Sequence, residues 1–100
     1  MSTSAYLLEL KRAVESCHGC TAAHTSSVPV TETFNGAVAW EGLVEVFALF
    51  GHPKAVHCYA WGYPDAGELE AVTVLEIPPV TSAQTAVKAA IVSEARRRRG

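Results

Sequence analysis

The chain has 100 residues, 49% of them hydrophobic and 18% charged, which suits one domain with a buried core and excludes a disordered polyelectrolyte. Its formal charge of −2 is split: ten carboxylates face four cations before position 96, and four arginines, 96–99, follow in one run. An acidic body argues against a nucleic-acid face, whose affinity comes from neutralised phosphate, and no stretch reads as a membrane span or a signal peptide.

The first element is an amphipathic helix over 4–18. Leu7, Leu10, Val14 and Cys17 recur at spacings of three and four, Ser2, Thr3 and Ser4 offer hydroxyl caps, and Gly19 suits the left-handed residue that ends a helix. Residues 19–27 read as a loop. From Val28 the apolar period changes to two through Val30 and Phe34, and Asn35-Gly36 is a hairpin signal. The strand that follows, over 37–50, carries Val38, Trp40, Val44, Val46, Ala48 and Phe50 on one parity. Glu41, Leu43, Glu45, Phe47 and Leu49 occupy the other, and Gly42 marks a place for a bulge that would exchange the faces. A turn at Gly51-His52-Pro53-Lys54 leads to a third strand over 55–63. A loop around Pro64-Asp65-Ala66-Gly67 precedes a fourth strand over 69–77, rich in β-branched residues and stopped by Pro78-Pro79. The last element is a helix over 82–97, opened by a capping box from Thr81 to Gln84, with Val87, Ala90, Ile91 and Ala95 as a narrow apolar stripe. Residues 96–100 read as a frayed basic tail whose first arginines complement the helix dipole.

Helix, four strands, helix (αββββα), with short connections, predicts an α+β fold over 1–100. The expected form is a two-layer sandwich: a four-stranded antiparallel meander with both helices on one face. The order resembles that of the double-stranded-RNA-binding domain, which has three strands. That family reads RNA with lysines near the start of its second helix, where this chain has Thr81-Ser82-Ala83-Gln84-Thr85, so no RNA function is implied. Three stretches, Ser27-Val-Pro-Val-Thr-Glu-Thr-Phe-Asn-Gly36, Val38-Ala-Trp-Glu-Gly42 and Gly51-His-Pro53, are similar to small bacterial α+β proteins of unassigned function, over roughly residues 17–92. That resemblance implies no activity, ligand or partner.

Three cysteines in a chain without a leader read as reduced thiols of a cytoplasmic protein. Cys17-His18-Gly19-Cys20 has thiolate spacing that suits zinc, with His24 as third ligand and His18, His52, His57 or Cys58 as fourth. A redox role wants the motif at a helix N-terminus, and here it ends a helix. The simpler reading places Cys17 on the helix stripe and Cys20 in the contact that follows a C-terminal glycine, with neither metal nor cofactor. Among the histidines, His57 or His24 with a carboxylate such as Glu76 is the pair a small hydrolase or isomerase would use. Glu41 with Glu45, and Glu70 with Glu76, share strand faces as a solvated sheet would have them.

Both parities are apolar in the middle strands, where Tyr59 and Trp61 alternate with Cys58 and Ala60. One two-helix layer covers one face. The other face, through Leu43, Phe47, Leu49, Tyr59 and Trp61, is expected to meet a second copy. The sequence thus predicts a homodimeric binding or interaction protein without catalytic activity. The alternatives are the histidine–carboxylate enzyme and a zinc or redox protein built on Cys17 and Cys20.

Overall fold

A computed structural model describes residues 3–99, and side chains from Ala5 to Arg96 apart from Pro64 and Asp65. The order is α1 (Thr3–His18), β1 (Thr21–Phe34), β2 (Ala37–Phe50), β3 (His57–Asp65), β4 (Glu68–Leu75) and α2 (Ala83–Arg99). The four strands form one antiparallel sheet in the order β1-β2-β3-β4, as the αββββα reading requires. Asn35 and Gly36 take φ values of 54° and 80°, the left-handed pair that a two-residue hairpin turn needs, and Phe34 faces Ala37 across it. The caps expected at Ser2, Thr3 and Ser4 lie outside the described side chains. The backbone of the arginine run is helical to Arg99.

β1 begins at Thr21, well before Val28, because a bulge hides the alternation. The ladder steps from His24↔Phe47 to Ser26↔Val46, leaving Thr25 without a partner residue. One extra residue reverses the parity of everything after it. Ala22 and His24 therefore share a face with Ser27, while Val28 and Val30 take the other. The bulge expected at Gly42 is absent: β2 runs straight through it, opposite Val30. The glycine serves its neighbour instead, since a Cβ there would lie 3.2 Å from the indole of Trp40, which folds over it.

The two helices cover opposite faces, which corrects the two-layer arrangement. Leu10 and Val14 of α1 pack with Ala22, Phe47, Leu49, Cys58 and Ala60. Val80, Ala83, Ala86 and Val87, at and before α2, pack with Val30, Val44, Tyr59 and Trp61. Cys58 and Ala60 alternate along β3 with Tyr59 and Trp61, so the two clusters lie on the two sides of one strand. Four consecutive buried residues in β3 need cover on both sides, and each large side chain so covered is worth about 1.5–3 kcal/mol. One narrow helix stripe per face supplies that cover, giving three layers.

Polar side chains then fix the helices. Glu15 accepts the Lys11 ammonium at 3.0 Å and the Ala22 amide at 2.9 Å, clamping the end of α1 to the start of β1. The Ala22 amide first, and Lys11 second, hold the Glu15 carboxyl below its ordinary range. The capping box of α2 is present one residue later than expected. Ser82 Oγ accepts the Thr85 amide and Thr85 Oγ1 accepts the Ser82 amide, at 3.2 and 2.9 Å. Gln84 reaches away from the box, donating to the Thr31 carbonyl at 3.0 Å and to Glu32.

The sheet is incomplete in one place. β2 pairs with β3 only from Glu45↔Ala60 to Ala48↔His57, after which β3 follows β4 alone. Continuing that register would set Gly62 against Leu43 and Pro64 against Glu41. The Gly62 amide goes instead to Tyr6 Oη of α1 at 2.9 Å, and proline has no amide to give. Residues 37–44 of β2 thus have a strand partner on the β1 side only.

Candidate functional site

Two histidine–carboxylate pairs are assembled, one on each face of the sheet. On the α1 side, His24 Nε2 lies 2.9 Å from Glu45 Oε1, and Ser27 Oγ donates to the same oxygen. The Thr25 bulge makes this possible, because His24 and Ser27 would otherwise point to opposite faces. Glu45 is 4% exposed, and the His24 ring rests edge-on against Phe47, with centroids 5.5 Å apart. A carboxylate only accepts, so His24 presents its Nε2 hydrogen to it. Both neighbours converge on the carboxylate, leaving histidine and serine out of line with one another. The arrangement satisfies a buried acid and sets up no activated nucleophile.

On the α2 side, His57 Nδ1 lies 3.2 Å from Glu76 Oε1, and Tyr59 Oη donates to Glu76 Oε2. The structure therefore brings together His57 and Glu76, and it pairs His24 with Glu45 rather than Glu76. Burial, and then the Glu76 carboxylate, push the Tyr59 hydroxyl well above its ordinary range, so it stays a donor at neutral pH. With Nδ1 donating to Glu76, His57 keeps Nε2 as an acceptor on a ring that is 42% exposed. The His24 ring is 30% exposed, so the His57 ring is the more open of the two. Neither Ser27 nor Tyr59 was singled out as a partner. The first is hidden by the bulge, whereas the second sits two residues from His57 on the same strand face and was open to a parity argument.

The other singled-out residues lie outside these two pairs. His52 Nδ1 accepts the amides of Lys54 and Ala55 at 3.0 and 2.9 Å, closing the turn before β3. His18 Nε2 meets Thr73 Oγ1 at 2.9 Å, and burial, then His52, hold its pKa below the ordinary value. Cys17 is exposed, Cys20 half-buried and Cys58 buried. Burial pushes the Cys58 thiol up to about 12, opposed by a hydrogen bond to the Val74 backbone and reinforced by Cys20 and Cys17. Among the described residues no group of three histidines, cysteines or carboxylates is placed to hold a metal ion. Glu41 is exposed and accepts the Thr31 hydroxyl at 3.2 Å, and Glu70 is exposed on β4.

Of the five residues expected at an interface, Phe47, Leu49, Tyr59 and Trp61 are buried beneath the protomer's own helices. Leu43 alone is exposed, at 53%, and it belongs to a second group that the sequence did not single out. Val38 (61% exposed) lies on the same face nearer the hairpin turn, whereas Phe34 (60% exposed), opposite Ala37, points to the α2 side. Phe34 also lines an open cleft of about 210 Å³ with Glu32, Thr33, Lys88, Ile91 and Val92. That cleft holds neither histidine pair. The far hairpin therefore combines exposed apolar side chains with a stretch of β2 that has a strand partner on the β1 side only. No helix among the described residues is long and apolar enough to cross a membrane. Comparison with protein-family models, with curated proteins and with solved structures finds no match to this chain.

Proposed function

We propose that the protein is a binding module without catalytic activity, one that associates with a second copy of itself through the far half of the β1–β2 hairpin. The observation that carries this reading is the exposure of Phe34, Val38 and Leu43 where β2 pairs with β1 alone, away from the two helix-covered clusters at the centre of the sheet. Tyr59 and Trp61, expected at the interface, instead build the platform under α2, and the contact surface moves outward to residues 34–43. The buried Glu45 group supports the same reading, since its polar atoms are satisfied internally.

Light scattering tests it. Two copies give about twice the 10.6 kDa of one chain, and Val38→Glu with Leu43→Glu returns the mass to that of one chain with the circular dichroism unchanged. A mass of one chain at every concentration contradicts it. The rival reading is catalysis by His57, favoured by its 3.2 Å contact with Glu76. Turnover in a panel of hydrolase and isomerase substrates, lost in His57→Ala, would decide for that rival.

A further inference from the structure

His52 stands in the turn between β2 and β3, and Pro53 after it has no amide to give. The next two amides, those of Lys54 and Ala55, both donate to one atom, His52 Nδ1, at 3.0 and 2.9 Å. A ring nitrogen that accepts two hydrogen bonds carries no proton, so the imidazole is neutral, with its hydrogen on Nε2. The arrangement is that of an Asx turn, with a ring nitrogen in place of the usual side-chain oxygen. The exchange matters, because an amide oxygen takes no proton near neutrality and an imidazole nitrogen does.

The two bonds hold more than the turn. Ala55 is buried in the α1-side cluster, so its amide is left without an acceptor inside the protein once Nδ1 is taken. One residue on, the Val56 carbonyl accepts the Leu49 amide at 2.8 Å, which links β2 to the segment entering β3. The His52 ring also meets the His18 ring of α1 edge-on, with centroids 6.4 Å apart, and His18 Nε2 lies 2.9 Å from Thr73 Oγ1 of β4. Helix, turn and outer strand thus converge on two imidazoles.

A proton on His52 would face no compensating charge. None of the ion pairs among the described residues includes His18 or His52. From α1 the titratable group set against the ring is His18, whose pKa burial, and then His52, hold below its ordinary value. From β4 the group that reaches the pair is the uncharged Thr73 hydroxyl. Glu15, one turn back along α1, is engaged by Lys11 and the Ala22 amide, and Lys54 adds a positive charge in the turn itself. The Cys17 and Cys20 thiols flank His18 in the chain, and His57 is engaged by Glu76 on the other face of the sheet.

We propose that His52 is a proton-operated latch on the β2–β3 turn. As pH falls through the imidazole range, Nδ1 takes a proton, both amide bonds are lost together, and residues 51–56 open away from the end of α1. The bonds are complete while Nδ1 is bare, so the latch is closed at neutral and alkaline pH and open in acid. It lies at the opposite end of β2 from the far hairpin and is independent of the self-association proposed there.

NMR of the intact chain between about pH 5 and 8 tests this, through the ring-nitrogen shifts of His52 and amide exchange. At the alkaline end the ring is expected to show a bare Nδ1 and a protonated Nε2. On acidification the Leu49, Lys54 and Ala55 amides should lose about tenfold or more of their protection in step with the ring, while amides within the β1–β2 ladder keep theirs. His52→Asn supplies an acceptor suited to the same turn that takes no proton in this range, so its Lys54 and Ala55 amides should stay protected throughout. Should that variant fail to fold, coincident ring and amide midpoints in the parent chain carry the test. A proton on Nδ1 at the alkaline end, or unchanged protection at Lys54 and Ala55 in acid, overturns the latch. So does an equal loss in His52→Asn, or a loss shared by the whole β1–β2 ladder.

Discussion

Glu45 is the residue on which the α1 side of the sheet turns. A carboxylate removed from water must be paired or hydrogen-bonded, and His24 and Ser27 do both. Removing one partner leaves an under-satisfied buried acid, so His24→Ala should cost about 1–3 kcal/mol in urea unfolding. Because the two side chains touch, the double variant His24→Ala with Glu45→Ala should lose less than the sum of the singles. An additive pair would show that the contact contributes nothing. The glutamate was visible in the sequence only as one member of an acidic parity shared with Glu41. What separates the buried acid from the solvated one is its neighbours, since His24 and Ser27 close on Glu45 while Glu41 stays exposed beside Thr31. His57 with Glu76 was open to sequence reasoning because His57 opens β3 and Glu76 directly follows the neighbouring strand β4.

At the scale of elements, the strand count, their order and the Asn35-Gly36 turn were all legible, because turn residues and β-branched runs act locally. The face of each helix was not. It depends on which parity of β3 each stripe meets, and both parities there are apolar. The start of β1 was hidden for a related reason. A single inserted residue, Thr25, moves the apolar set from one side of the sheet to the other, and the polar run 24–27 then looks like a loop. Thr25 itself does little, since its exposed hydroxyl only donates to the Val46 carbonyl at 3.2 Å. Thr25→Ala should therefore change stability by less than about 1 kcal/mol. Deleting Thr25 should instead turn Ala22 and His24 to the wrong face and unfold the chain or lower its melting temperature severely. A deletion as mild as the alanine variant would show that the bulge does not set the faces.

For the whole molecule, acidification should loosen the tie between α1 and the sheet. The Glu15 carboxyl, held low by the Ala22 amide and Lys11, contributes stability that is fully present above the ordinary glutamate pKa of about 4.3 and is lost as pH falls through its depressed value. His18, kept neutral by burial and by His52, adds in the same direction. Its contribution is full above about 6.5 and declines as the pH falls through its lowered pKa. Melting temperatures of the parent chain and Glu15→Gln should differ most near neutrality and converge in strong acid. A difference that persists there would place the role of Glu15 outside its charge.

Three layers with one helix on each face leave the far β1–β2 hairpin without helix cover, and the functional reading stands on that hairpin. Heteronuclear NMR spectra recorded through a dilution series test it most directly. The expected result is concentration-dependent shifts confined to residues 28–34 and 37–44, with His57, Tyr59 and Glu76 unmoved. Shifts centred on His57 and Glu76, or spectra identical at every concentration, would contradict it.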